Sequence, residues 1–380
     1  MQLHPEIAAL AEICSDIRQN LHRIPEPGFE EHDTHAYIQD FLRRYPPDSV
    51  QTLSKTGIKA VYYTKGATET IAFRADMDGL SIRERSDAPY QSVNEGRMHA
   101  CGHDGHMTIL LLLARLLHGR RGALRHHVVL LFQPAEEGKC GARQMVRDGA
   151  LTDPKVDRIY GMHLWPSFPK GKIGVRWGPM MAKASEFDII ARGVSSHGAS
   201  PQMGVDAIVA AATLITMLQT AITRNIDPLS GALLTIGKIN GGVTRNIIAD
   251  EVVMSGTLRV FSDSVYDQLM RRIRAMTNGV AEATSAEFTI TELEHYPCVD
   301  NPREMVEDFY RYVDMSHIIL ADPVLIAEDF SCYQLEIPGL FLLLGIGGGK
   351  NKAPLHNPLF DFDEDALLTG LEVYRRLLGL

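Results

Sequence analysis

Thr70-Ile-Ala-Phe-Arg-Ala75, running into Asp76-Met-Asp78-Gly79, decides the fold. The run is short and mostly apolar, and it closes on two carboxylates that flank one residue. That pattern fits a strand buried on both faces, the kind that fills a parallel sheet. It recurs at His127 to Gln133, which leads into Pro134-Ala-Glu136-Glu137, and at Arg158 to His163, whose last residue is an imidazole. Leu340 to Gly345 is a fourth such run, and Met107 to His118, between the first two, reads as a helix. The alternation predicts an α/β layer with a mostly parallel sheet. Sites in open α/β sheets form at the carboxyl ends of strands, and three strands here deliver ligand-type residues to that edge.

Working outward, Pro5 to Leu21 carries Ile7, Leu10, Cys14, Ile17 and Leu21 at helical spacing and reads as an amphipathic opening helix. The middle of the chain follows another order. Ser185 to Arg192 reads as a strand, Val205 to Thr223 as a helix, and Ala232 to Ile239 and Glu251 to Phe261 as two strands around Gly241-Gly242. Ser264 to Thr284 reads as a helix and Glu287 to Leu293 as a last strand. The order β-α-β-β-α-β is the ferredoxin-like pattern and can fold around its own core. The expectation is a discontinuous catalytic domain over 1–180 and 295–380, with an inserted α+β lid or dimerisation domain over 181–294.

Composition narrows the classes. A chain of 380 residues, 45% hydrophobic and 22% charged, suits two ordinary globular cores. A net charge of −9 gives no electrostatic footprint for nucleic acid. The longest apolar runs, such as Ile109 to Ala114, are too short to span a bilayer. Five scattered cysteines argue against a disulfide framework, and Met1 to Leu21 lacks the basic start of a signal peptide. The expected location is the cytoplasm.

The chemistry concentrates in Met98-His-Ala-Cys101-Gly-His103-Asp-Gly-His106, where one thiol, three imidazoles and a carboxylate crowd nine positions. These donors suit zinc, and also manganese, cobalt or nickel when carboxylates join them. Adjacent Glu136 and Glu137 allow one carboxylate to bind metal while the other takes a proton from water. Gly138 and Gly141 permit a sharp turn there. Asp78 is placed to orient a ligating imidazole. His163 and His356 are ambiguous in isolation, and His197 lies in the inserted segment, so it reaches the site only through domain closure.

Six blocks then occur in a recognisable order. They are Leu21-His-Arg-Ile-Pro-Glu-Pro-Gly-Phe-Glu30, Arg74-Ala-Asp-Met-Asp-Gly-Leu80, His99 to His106, Gln133-Pro-Ala-Glu-Glu-Gly138, Gly161-Met-His163 and Leu355-His-Asn357. In these the chain resembles metallopeptidase family twenty, in the branch of hippurate hydrolases, bacterial N-acyl-amino-acid amidohydrolases and plant auxin-conjugate amidohydrolases. The resemblance implies a zinc-peptidase-like catalytic domain with an inserted lid. It implies two divalent ions held by Cys101, His103, Glu137, His163 and His356, with Glu136 as general base. It also marks His197 as an active-site residue, Asn246 and Arg259 as substrate-binding residues, and Glu328 in Ala327-Glu-Asp-Phe330 as a supporting one. Three residues depart from the pattern: Ser81 stands for a usual proline, and Lys139 and Cys140 for usual glycines.

The implied reaction is hydrolysis of the amide bond of a small N-acyl-amino acid, with no nucleic-acid or membrane partner and with a homodimer or larger homo-oligomer formed through the inserted domain. A dipeptidase or aminopeptidase with the same metal chemistry is the nearer rival. A catalytically silent binding protein on the same fold is a rival of another class, and a closed structural metal site is a third.

Overall fold

The computed structural model describes residues 1–348 and 353–380, without the side chains of 294 and 295. The chain divides into two compact units, one of residues 1–178, 300–322 and 329–380, the other of 179–299 and 323–328.

The first unit is built on an eight-stranded sheet. Its strands lie in the order Ser49–Leu53, Gly57–Tyr62, His127–Gln133, Thr70–Asp76, Arg158–Pro169, Gly339–Gly347, Ile173–Val175 and Ile318–Leu320. The four central strands are parallel, and the edges add antiparallel pairs at Gly57–Tyr62 and Ile173–Val175. Thr70–Asp76 is buried at every position, as an interior parallel strand must be. Arg74 is therefore a buried cation in an apolar run. It donates to Gln133, Asp76 and Asp329, each at 2.8 Å, and so ties neighbouring strands together.

The helix expected from Met107 begins four residues earlier, as His103–Gly119. Its polar first turn, His-Asp-Gly-His, hides the start from an apolar-period reading. Gly102 precedes it at φ 84°, and a Cβ there would meet the Leu164 side chain at 2.9 Å. The backbone can thus turn sharply between Cys101 and His103. The opening helix is in two pieces, Pro5–Ala8 and Ala11–His22, because the Leu10 N–H bonds to Ile7 O, one residue short of the α-helical partner. Leucines and isoleucines of His103–Gly119, Ala11–His22 and Asp365–Leu377 pack with the sheet into the main core.

The second unit holds an antiparallel sheet in the order Glu287–Tyr296, Lys183–Arg192, Glu251–Val260, Ala232–Gly241. Numbered along the chain this is 4-1-3-2, the arrangement of a ferredoxin-like β-α-β-β-α-β unit. Helices Ala207–Thr223 and Asp263–Thr284 cover one face, burying Leu214, Leu218, Leu269 and Ile273 against Phe187, Ile189, Met254 and Leu258. Asp206 caps the first helix through the N–H groups of Ile208 and Val209, and Ser262 caps the second through Val265. Among the described residues, no helix is long and apolar enough to cross a membrane.

Candidate metal centre

The site grows from the carboxyl edge of the first unit's sheet. Pro134 to Gly141 is wound tightly after its strand: Ala135 sits at φ 58°, Gly138 at 77° and Cys140 at 51°. Two buried carboxylates hold this turn by its main chain. Glu31 accepts the Ala135 N–H at 2.9 Å, and Asp78 accepts those of Glu136 and Glu137 at 3.0 and 2.9 Å, one on each oxygen. Gly141 completes the turn with an N–H to Ala135 O at 2.9 Å.

Around this turn the structure gathers Cys101, His103, Glu137, His163 and His356. Donor atoms of Cys101, His103 and His163 lie within 4.8 Å of one another, as do those of Cys101, Glu137 and His356. Cys101 belongs to both groups. Its sulfur is 3.5 Å from His163 Nε2 and 3.2 Å from His356 Nε2, and His356 Nε2 is 3.2 Å from a Glu137 oxygen. The Glu136 carboxylate joins a third such group with His103 and Glu137.

His103 and His163 are aimed by their other ring nitrogens, His356 by its main chain. His103 Nδ1 donates to the carbonyl of Asp78 at 2.8 Å, and its buried Nε2 makes no hydrogen bond among the described residues. Asp78 thus faces this imidazole with its carbonyl and, at 3.5 Å from the same Nδ1, with a carboxylate oxygen, while that carboxylate also serves the Glu136-Glu137 turn. His163 Nδ1 donates to Leu164 O at 2.7 Å, leaving Nε2 toward Cys101. His356 is held at φ 62° by its N–H to Ala100 O at 2.8 Å. Fixing one ring nitrogen so that the other can bind metal is the usual outer support of a ligating imidazole.

The donor set fits a pair of divalent cations. Burial, followed by the carboxylates of Glu137 and Glu136, pushes the Cys101 thiol well above its ordinary range. Its thiolate form needs nearby positive charge, and a divalent cation supplies it. Sulfur, nitrogen and carboxylate donors together suit zinc and its neighbours.

Behind the candidate ligands lie His106 and Asp76, both visible in the sequence as donor-type residues but without an assigned role, and Asp329. His106 donates from Nδ1 to Asp76 at 2.6 Å, accepts the Leu164 N–H on Nε2 at 2.9 Å, and packs against His163 with ring centroids 4.5 Å apart. Burial opposes the Asp76 charge, but His103, His106 and Arg74 hold its carboxyl well below the usual range. Asp329 accepts from Gln133, Arg74 and the Ala142 N–H, fastening the strand to the helix after the turn. A further signal for this layer is Arg74, a charge inside an otherwise apolar strand. Cys140 is buried with its sulfur 3.3 Å from that of Cys332.

The remaining expected residues belong to the second unit. His197 and Asn246 are exposed and adjacent, joined by the Gly198 N–H to Asn246 O at 2.8 Å. His197 Nδ1 accepts the Ala199 N–H at 3.0 Å, which places its proton on Nε2. Arg259 is half-buried on the strand Glu251–Val260 and makes no side-chain hydrogen bond or ion pair among the described residues. Glu328 is buried in the return segment 323–328.

Residues 72–379 match the model of peptidase family M20/M25/M40. The chain belongs to this family. Among its members, the N-acetyldiaminopimelate deacetylase of Anoxybacillus flavithermus is 35% identical over 366 residues, covering 95% of each chain. The N-acetyl-L-cysteine deacetylase of Bacillus subtilis is 38% identical over 367 residues, 95% of this chain and 86% of that one. The solved structure of the Bacillus subtilis YXEP protein, a dinuclear metal-binding peptidase of the family, superposes with a TM-score of 0.85 at 31% identity, covering 98% of both chains.

Proposed function

We propose that the protein is a metal-dependent amidohydrolase that cleaves the amide bond of N-acyl-amino acids, releasing a carboxylic acid and a free amino acid. The observation that carries this reading is the adjacency of Glu136 to the donor cluster. One turn supplies both a metal-type carboxylate, Glu137, and a neighbouring carboxylate within 4.8 Å of the donor atoms of Glu137 and His103. The named activities of the relatives, deacetylation of N-acetyl-amino acids, support it.

Cys101, His103, Glu137, His163 and His356 would hold two ions, zinc or manganese by donor type, with cobalt or nickel compatible. When bound, these supply Lewis-acid polarisation of the amide carbonyl and lower the pKa of water. Glu136 accepts the proton of the attacking water and returns it to the departing nitrogen, so one carboxylate serves as base and then as acid. His197, carrying its proton on Nε2, is suited to donate to the developing oxyanion. The guanidinium of Arg259 matches the two oxygens of a substrate carboxylate, and Asn246 supplies an amide for substrate contact. Ile208, Val209 and Met217, exposed on one helix of the second unit, support a homo-oligomer formed through that unit. A cytoplasmic location accords with the sparse, scattered cysteines.

Glu136→Gln tests the reading. The variant is expected to retain its metal and lose turnover of acetyl-, benzoyl- and indole-acetyl-amino acids by at least about a hundredfold. Retained turnover would remove Glu136 from its role. Cleavage of free dipeptides only, by the unaltered protein, would replace the amidohydrolase with a peptidase.

A further inference from the structure

Next to Glu137 the first unit contains a cavity of about 340 Å³, within the range of small-ligand pockets. Its lining includes Ser81, Arg97 and Lys139. Two of these, Ser81 and Lys139, are positions at which the chain departs from the pattern it otherwise resembles. Separated by 58 positions in sequence, they converge on one hollow beside the candidate metal centre.

The two cations are arranged without carboxylate partners. Lys139 donates to the Gly28 carbonyl at 2.8 Å, and Arg97 donates to the Ser81 hydroxyl. Among the described residues neither forms an ion pair, although Glu30, Asp78 and Glu137 line the same cavity; the Asp78 carboxylate is taken up by the Glu136 and Glu137 N–H groups. Lys139 is therefore positioned by a neutral acceptor and keeps two further N–H groups. Arg97 is positioned by the hydroxyl that a proline at 81 would not provide, and most of its donor fork stays open. A guanidinium and an ammonium facing one small cavity are suited to a carboxylate, the guanidinium by its fork and the ammonium as a point charge.

Building on the amidohydrolase reading, we infer that this cavity is a subsite for an anionic group of the substrate, a carboxylate carried away from the scissile amide and separate from the α-carboxylate. The substrates it selects are N-acyl-amino acids with a second acid group, borne on the acyl chain or on the amino-acid side chain. The subsite's contact with Glu137 places that acid group within a few bonds of the amide.

Paired substrates test this and identify the source of the acid. N-succinyl-leucine against N-butyryl-leucine asks about the acyl chain. N-acetylglutamate against N-acetylglutamine asks about the side chain. In one pair the charged member is expected to have a kcat/KM about tenfold or more above the neutral one, the worth of one charge-assisted contact. That ratio should fall toward one in Arg97→Met and in Lys139→Met. In Lys139→Glu it should invert. The ratio is internal to each variant, so a general loss of activity does not mimic the result.

A charged-to-neutral ratio near one in both pairs, or a preference that survives all three variants, overturns the subsite. The same pairs are also measured as binding isotherms on metal-loaded Glu136→Gln protein, where the preference is read as a ratio of Kd values without turnover. Absence of turnover with a lysine- and arginine-dependent binding preference would defeat the amidohydrolase reading and leave the subsite standing. Turnover without any such preference would do the reverse.

Discussion

Glu31 accepts the N–H of Ala135 at 2.9 Å from a side chain that reaches across 104 positions of sequence. Its other oxygen accepts the Thr56 hydroxyl at 2.5 Å. Burial is the main reason its carboxyl is pushed up to about 7, with Asp78 adding to the rise and the two donors opposing it. The folded protein therefore keeps this proton to a higher pH than the unfolded chain does, from an ordinary carboxyl value of 4.5. Stability from this group is fully present below that ordinary value and is lost as pH rises through about 7. The loss is on the order of 3 kcal/mol. Glu31→Gln, which cannot lose the proton, should flatten the stability curve between pH 4.5 and 7 relative to the parent. Urea midpoints of the two proteins across that window measure the difference. Parallel curves would show that Glu31 titrates normally in the fold.

Gly141 leaves no room for a side chain. A Cβ at this position would lie 1.7 Å from the Pro134 carbonyl oxygen, a backbone atom that cannot swing aside. Gly141→Ala must push the turn open, and the turn carries Glu136 and Glu137. Overpacking of this kind costs about 1–3 kcal/mol or more. The expected outcome is a lowered melting temperature together with loss of metal and of turnover. At Gly138, φ is 77° but no atom lies within 4 Å of the position of a Cβ. Gly138→Ala should therefore cost only about 1 kcal/mol of backbone strain and keep measurable activity. Equal damage from both changes would contradict the steric account.

Cys101 belongs to both donor groups, so its replacement should weaken two ions at once. Cys101→Ser substitutes a hydroxyl, a poor ligand for zinc, and should lower metal affinity by at least about tenfold. Competition with a chromophoric chelator measures it directly. Metal binding to the folded form alone also raises stability, by about 2.7 kcal/mol at a hundred times Kd. The parent should thus melt lower after chelation and recover on adding zinc or manganese, with a smaller recovery in Cys101→Ser. Unchanged affinity would take Cys101 out of the ligand set.

What the sequence made legible follows from range. The parallel strands announced themselves because burial on both faces writes an apolar run, and the donors at their ends are local neighbours of those runs. The 4-1-3-2 sheet of the second unit followed from the order of short periodic segments. The supports were harder to see. Glu31, Asp329 and Asp104 sit in polar stretches where a carboxylate gives no sign of burial, and their partners lie 104, 255 and 86 positions away. Gly102 was visible only as a glycine, and the helix start it creates is masked by four polar residues. The dual use of Asp78, carbonyl to His103 and carboxylate to the Glu136-Glu137 turn, is a matter of geometry that its spacing from Asp76 does not encode.

Arg18 is the deepest of these supports. It lies in the helix Ala11–His22 with no exposed surface and fans its guanidinium over Asp104 at 2.9 Å, Asp361 at 2.9 Å and Glu364 at 3.4 Å. Asp104 stands in the first turn of the helix His103–Gly119, immediately after a candidate ligand, and also takes a hydrogen bond from His22 Nδ1 at 2.7 Å. Burial disfavours the Asp104 charge, and Arg18, then His22, hold its carboxyl below the usual range. Arg18→Met would leave that carboxylate buried with His22 as its remaining cationic partner. Breaking a buried pair from one side costs about 3–5 kcal/mol, so the variant should lose that much stability at neutral pH. Arg18→Lys keeps the charge but cannot span three acceptors in one plane, and should fall between the two. Because Asp104 fixes the first turn that presents His103, metal affinity should fall in the same order. A loss below about 1 kcal/mol in Arg18→Met would place the anchoring of this turn in the surrounding apolar packing instead.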